Sequence, residues 1–165
     1  MIQVGVLTVS DRSARGERPD TGGPAVVHAV TERLEGASVV QTAIVPDDQG
    51  GIAAVLLRWA DELRLDLVLT TGGTGFAPRD ITPEATRSVL EREAPGLAEA
   101  MRAASLLVTP HAMLSRAVAG IRGRTLIVNL PGSPKGAVEN LATILPMLPH
   151  AVELLQEGAQ AEQHH

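Results

Sequence analysis

Two aspartates and one glycine-rich turn carry the chemistry legible in this chain. Between Leu67 and Thr86 an apolar run leads into Thr71-Gly72-Gly73-Thr74-Gly75, then to Asp80, then to a helix start. Glycines let backbone N–H groups approach a phosphate with no side chain in the way. A carboxylate shortly beyond Gly75 can hold a magnesium ion that bridges phosphate oxygens. Thr82 reads as an N-cap and Pro83 as the first helical residue, so a second anion-friendly terminus follows. The stretch reads as a phosphate-handling site. The turn by itself is a weak signal: no Gly-Lys-Ser/Thr follows it, and the G-x-G-x-x-G spacing is missing. Its plainer reading is a tight strand-to-helix loop, with Asp80 offsetting the helix dipole near Pro83.

Other candidates stand where apolar runs end. Ser10-Asp11-Arg12 follows the first run, Pro46-Asp47-Asp48 the second, and Pro131-Gly132-Ser133-Pro134-Lys135 the last. Of the neighbours Asp47 and Asp48, one should face the ligand and one water, because successive side chains at a strand end point opposite ways; the plainer reading is a solvated acidic pair with no function. Asp11 could equally be a turn residue. Ser133 reads as an N-cap with Pro134 at the first helical position. Lys135 then sits in the first turn, where a cation opposes the dipole unless an anion binds. Lys135 and Arg79 are each either phosphate partners or solvated side chains. His28, His111 and His150 lack metal-ligand spacing and read as structural or solvent-facing. Met101, Met113 and Met147 read as core packing. Ser105 and Ser115 have no histidine at a telling spacing.

The elements that must position these groups alternate. Strands are expected over Ile2–Val9, Ser38–Val45, Leu65–Thr70, Arg116–Ile121 and Thr125–Leu130, the last two as a hairpin around Arg122-Gly123. Helices are expected over Pro24–Leu34, Ile52–Leu63, Pro83–Glu93, Leu97–Leu107 and Ala137–Leu155, the last interrupted at Pro146 and Pro149. Such alternation predicts an α/β fold: an open, doubly wound, mainly parallel sheet with helices on both faces and at most one antiparallel strand. Ligands of such sheets bind outside the carboxyl ends of the strands, where all the candidates fall.

Composition narrows the classes. A chain of 165 residues with 44% hydrophobic residues suits one compact domain, here residues 1–158, followed by a polar tail at 159–165. His164 and His165 read as a tag remnant and are set aside. A net charge of -5 with no basic run disfavours nucleic-acid binding. Phe76 and Trp59 are the only aromatic residues, so base-stacking platforms are missing too. No apolar run approaches the roughly 20 residues of a membrane span. Cysteine is absent, which excludes disulfides and thiolate chemistry and fits a cytoplasmic location.

Three separate segments, the early VLTVSDR, TTGGTGFAPRDITPEAT and PHAMLSRAVAGIRGRTLIVNLPGSPKGAVENL, in that order, resemble the MogA/MoaB family of molybdenum-cofactor biosynthesis. The likeness extends to the plant and animal G domains, gephyrin's among them, and covers about Val4 to Leu155. It implies a doubly wound α/β domain, a homotrimer, and a molybdopterin adenylyltransferase that uses Mg-ATP to place AMP on the molybdopterin phosphate, releasing pyrophosphate. The essential aspartates of that family match Asp47 and Asp80, and both are expected here to hold or share a magnesium ion. Its nucleotide and pterin phosphate-binding segments match Thr71 to Gly75 and Pro131 to Lys135, and its strand-one loop, also at the pocket, matches Ser10 and Asp11. It further implies hand-off of the product to a separate molybdenum-insertion protein. Some MoaB-branch proteins have altered acidic sites and suggest a non-catalytic binding or scaffold role. With both aspartates and a full LPGSPKG, this chain resembles the catalytic MogA side.

Overall fold

A computed structural model of the chain describes residues 1–163, and the side chains of residues 1–158. The terminal histidines His164 and His165 lie outside the described residues. Six strands form one sheet in the order β2-β1-β3-β6-β5-β4. They are β1 (Ile2–Val9), β2 (Ala37–Val45), β3 (Leu67–Thr71), β4 (Arg92–Glu93), β5 (Ala119–Arg122) and β6 (Thr125–Leu130). The four strands β2, β1, β3 and β6 run parallel, with Val4, Leu67 and Leu126 side by side. β5 runs antiparallel to β6, and β4 antiparallel to β5.

The helices are α1 (Asp11–Ala14), α2 (Gly22–Arg33), α3 (Gln49–Leu57), α4 (Thr82–Val89), α5 (Pro95–Leu106), α6 (Pro134–Ile144) and α7 (Leu148–Gln163). Strand alternation sends Leu67 and Leu69 to one face, where α2, α5, α6 and α7 supply Val26, Met101, Leu141 and Leu148. Val68 points to the other face, against Leu56 of α3 and Val89 of α4. Each such fully buried aliphatic side chain contributes about 1.5–3 kcal/mol. With both faces covered, the parallel strands are near-continuous in apolar residues, as the sequence shows.

The α/β architecture is the expected one, and the hairpin is present, turning at Gly123-Arg124. Several local expectations are corrected. The helix expected to Glu93 stops at Val89, because Glu91 and Ala94 donate their N–H groups to Ile121 and Ala119 and Arg92–Glu93 becomes an edge strand. β5 begins at Ala119 rather than at Arg116, whose N–H donates to Thr74 O instead. Helix α3 passes at Arg58 into a π-helical turn through Glu62 that buries Trp59. Pro146 does break the last helix, into a 3₁₀ turn at Leu145–Met147, but Pro149 lies in the first turn of α7, where its missing N–H is tolerated. Met113 and Met147 are exposed, unlike the buried Met101, because both stand in 3₁₀ turns off the helix faces.

Candidate active site

The chain reverses its lateral progress at β1. From β1 it passes through α2 to β2 on one side, then through α3 back across to β3 on the other. The loops leaving β1 and β3 therefore diverge to opposite faces and open a crevice at the strands' carboxyl ends. A cavity of 370 Å³ lies there, lined among others by Ser10, Asp20, Asp47, Gly73, Asp80 and Ser133.

The glycine loop takes its shape from two left-handed residues. Gly72 has φ +105° and Gly73 φ +69°, and a Cβ at either would collide, with Val9 O and with Thr82 Oγ1 respectively. Thr71 Oγ1 donates to Pro131 O at 2.7 Å, tying the ends of β3 and β6 together. Thr82 is not the N-cap expected. Its hydroxyl donates to Gly72 O at 2.9 Å and its N–H to Gly73 O at 3.1 Å, so it braces the loop from inside α4. Gly75 leaves room for the Asp80 carboxylate, whose Oδ2 accepts from Ala77 N at 3.0 Å. The N–H of Gly72 is itself committed to Leu130 O.

Asp47 and Asp48 part company as alternation requires. Asp48 caps α3, accepting from Gly51 N at 2.8 Å, while Asp47 turns into the cavity beside Gly73. Asp47 and Asp11 exchange hydrogen bonds: each backbone N–H donates to the other's carboxylate at 3.0 Å. This joins the loops after β1 and β2. Arg79 closes the ring, donating to both carboxylate oxygens of Asp11 at 2.6 and 2.9 Å and to Asp47 O at 3.2 Å. Hydrogen bonding from Arg79 and from Asp47 N holds the Asp11 carboxyl down at about 2. Asp47 moves the other way. Burial raises its pKa, and the neighbouring charges of Asp11 and Asp80 add to the rise.

Ser10 caps the short helix α1, accepting from Ser13 N; no apolar periodicity announces so short a helix in the sequence. Ser133 caps α6 as expected, accepting from Gly136 N at 3.0 Å, with Pro134 following. Lys135 is an exposed lysine 3.9 Å from Glu139, outside the cavity. Thr74, Gly75 and Pro131 border a second cavity of 310 Å³, which Ser133 shares and which reaches Ser105, His111, Ser115 and Asn140. The Ser105 hydroxyl there accepts from Asn140, and the His111 ring lies against Thr109, so no serine–histidine pair forms. His28, His111 and His150 are all exposed.

Sequence reasoning missed Asp20, Thr8 and Arg116. Asp20 accepts from the Thr8 hydroxyl at 2.9 Å and from Gly23 N at 3.0 Å, fixing the entry of α2. The turn-like run Pro19-Asp20 before Gly22-Gly23 was its signal. The groups suited to a hard cation are Asp47 and Asp80, which share the cavity wall. Among the described residues no three His, Cys, Asp or Glu side chains converge into a preformed cage. Two carboxylates beside a phosphate cradle are the donor set that magnesium favours, since it takes its remaining oxygens from water and phosphate.

An open α/β sheet thus brings a glycine turn, two carboxylates and a capped helix N-terminus to one crevice. Residues 5–150 match the family described as "Probable molybdopterin binding domain". The chain belongs to that family. It is 45% identical to a molybdopterin adenylyltransferase of Helicobacter pylori J99, over 93% of this chain and 88% of that one. It is 46% identical to gephyrin of Dictyostelium discoideum over 92% of its own length, but spans 22% of that longer protein. The molybdopterin biosynthesis enzyme MoaB of Thermus thermophilus has the same fold, with a TM-score of 0.88 and 57% identity, covering 94% of this chain and 96% of that one. No helix among the described residues is long and apolar enough to cross a membrane.

Proposed function

We propose that this chain is a molybdopterin adenylyltransferase that transfers AMP from Mg-ATP to the molybdopterin phosphate and releases pyrophosphate in molybdenum-cofactor synthesis. The observation that carries the reading is the meeting of Asp47, Asp80 and the Gly72-Gly73 turn on one cavity wall. The likeness to adenylyltransferases over nearly the whole chain supports it.

The molybdopterin phosphate is a nucleophile already ionised near neutral pH, so the chain needs no strong general base. Its task is alignment and charge stabilisation, as in other phosphoryl-type transfers. The N–H groups from Gly73 to Gly75 and the start of α6 at Ser133 face phosphate oxygens in this reading. Asp47 and Asp80 would hold magnesium, which would supply electrostatic stabilisation of the phosphate charge. Asp47 then serves as a metal and positioning group rather than a proton acceptor. The Asp11–Arg79–Asp47 ring keeps the loops after β1, β2 and β3 in register around it. The second cavity, sharing Ser133, gives room for the other substrate beside the first. The protein acts as a cytoplasmic homotrimer and passes its product to a molybdenum-insertion protein.

The test incubates the protein with molybdopterin and Mg-ATP and follows pyrophosphate and adenylylated pterin together. Asp80→Asn should abolish both products while pterin binding persists, since an amide can still accept from Ala77 N. Unchanged turnover in that variant would remove the metal role. The family's description as a molybdopterin-binding domain keeps a binding-only role as the second reading, and tight pterin binding with no pyrophosphate from the parent chain would establish it.

A further inference from the structure

Arg116 stands in the segment between the 3₁₀ turn Pro110–Leu114 and β5, outside every phosphate-binding motif of the sequence. Its contacts nevertheless converge on the loop that carries Asp80. The backbone N–H donates to Thr74 O at 2.8 Å. The guanidinium Nε donates to Gly75 O at 2.8 Å, and Nη2 to Asp80 O at 2.5 Å. Nη1 meets both carboxylate oxygens of Glu84, at 2.9 and 2.8 Å.

One planar group thus grips the loop at its first and last residues, Gly75 and Asp80. The four residues between are exposed and include Phe76, 66% exposed, so little packing holds them, although the Arg79 side chain reaches out to Asp11 and Asp47 O. Glu84, on the first turn of α4, orients the guanidinium from behind. Only arginine offers donors in a fixed fork that can serve two carbonyls and a carboxylate at once; a lysine ammonium cannot span them.

We infer that Arg116, oriented by Glu84, is a positioning residue that sets the Asp80 carboxylate in the cavity by clamping both ends of the Gly75–Asp80 loop. Arg116 itself is not among the residues that line the cavity holding Asp47 and Asp80. The clamp itself is a feature of the free chain; its consequence for turnover rests on the adenylyltransferase reading.

The experiment has two arms on the full chain, comparing the parent with Arg116→Ala, Arg116→Lys and Glu84→Gln. The first arm measures amide hydrogen exchange at Ala77 and Asp80, whose N–H groups bond across the loop. Protection should fall by about tenfold or more in Arg116→Ala and Arg116→Lys, with protection of β1 and β3 unchanged. Equal protection at Ala77 and Asp80 in parent and variants overturns the clamp, whether or not the chain is catalytic. The second arm measures kcat and KM for molybdopterin and for Mg-ATP. A displaced Asp80 should lower kcat on the order of 10–100-fold, leave KM for molybdopterin within about twofold, and raise the magnesium concentration needed for half-maximal rate. Added guanidinium should restore part of the turnover of Arg116→Ala, because the vacated site is one-third open to solvent. Loss of protection with normal kcat in the variants overturns the link to Asp80. A parent chain with no turnover but with loop protection that depends on Arg116 removes the enzyme reading and leaves the clamp standing.

Discussion

At the scale of single residues, Asp47 and Asp11 show how neighbours of one type come to differ. Both are aspartates in one hydrogen-bonded ring, yet Arg79 draws Asp11 down to about 2 while burial pushes Asp47 up. The two have opposite pH signatures. Asp11, depressed in the folded chain, adds stability that is complete above the ordinary value of 3.8 and lost as pH falls toward about 2. Asp47, raised in the folded chain, binds its proton more tightly there than when unfolded, so its ionisation costs stability as pH rises above 3.8. Asp47→Asn should therefore abolish turnover yet leave the melting temperature at neutral pH equal or higher. The gain should vanish below the ordinary carboxylate range. Thermal melts of both proteins across roughly pH 3 to 8 check this, and a lower melting temperature near neutral pH would count against the desolvation account. Of these residues the sequence showed the type and the strand-end position. It could not show that Arg79 turns to Asp11, because that pairing spans two loops far apart in the chain.

At the scale of elements, helix starts were the most legible features and also the most instructive failures. Ser133 caps α6 as its Ser-Pro pairing suggests. Ser133→Ala should cost about 0.5–2 kcal/mol, measured by urea denaturation, through loss of the bond from Gly136 N. An unchanged unfolding midpoint would show that the cap is idle. Thr82 carried the same local signal and does something else, because the glycine loop folds back over it and offers two carbonyls. Tertiary contact overrode the local preference. The edge strand β4 was illegible for a related reason. Arg92 and Glu93 have no strand character of their own and pair only because β5 lies beside them. Asn129 is a polar residue within the apolar run of β6 that drew no expectation from the sequence, and it is buried because it bonds Thr70, Thr86 and Val118 N.

At the scale of the whole molecule, exposed apolar side chains gather in one stretch of the chain, and the proposed homotrimer would bury them there. Leu107, Val108, Met113 and Leu114 follow one another around the end of α5 with 90%, 70%, 68% and 45% of their surface open. Sedimentation equilibrium should find three times the 17.3 kDa chain mass, and a monomer at micromolar concentration would refute the trimer. The far end of the sheet is held differently. Buried Asp66 accepts from Gln3 N, Arg124 and Gln156, tying β1, the β5–β6 turn and α7 together away from the site. The sequence by itself determined the alternating α/β order, the parallel sheet and the placing of acidic and glycine-rich groups at strand ends. Those follow from periodicity and turn chemistry, which act over a few residues. Only the tertiary structure decided that Asp47 rather than Asp48 shares the cavity with Asp80, that Arg79 is held by Asp11, and that Arg116 grips the Asp80 loop. Each of these joins residues from different crossovers, and their distances are set by strand order and by which face each crossover packs on, a choice that no local stretch of sequence makes alone.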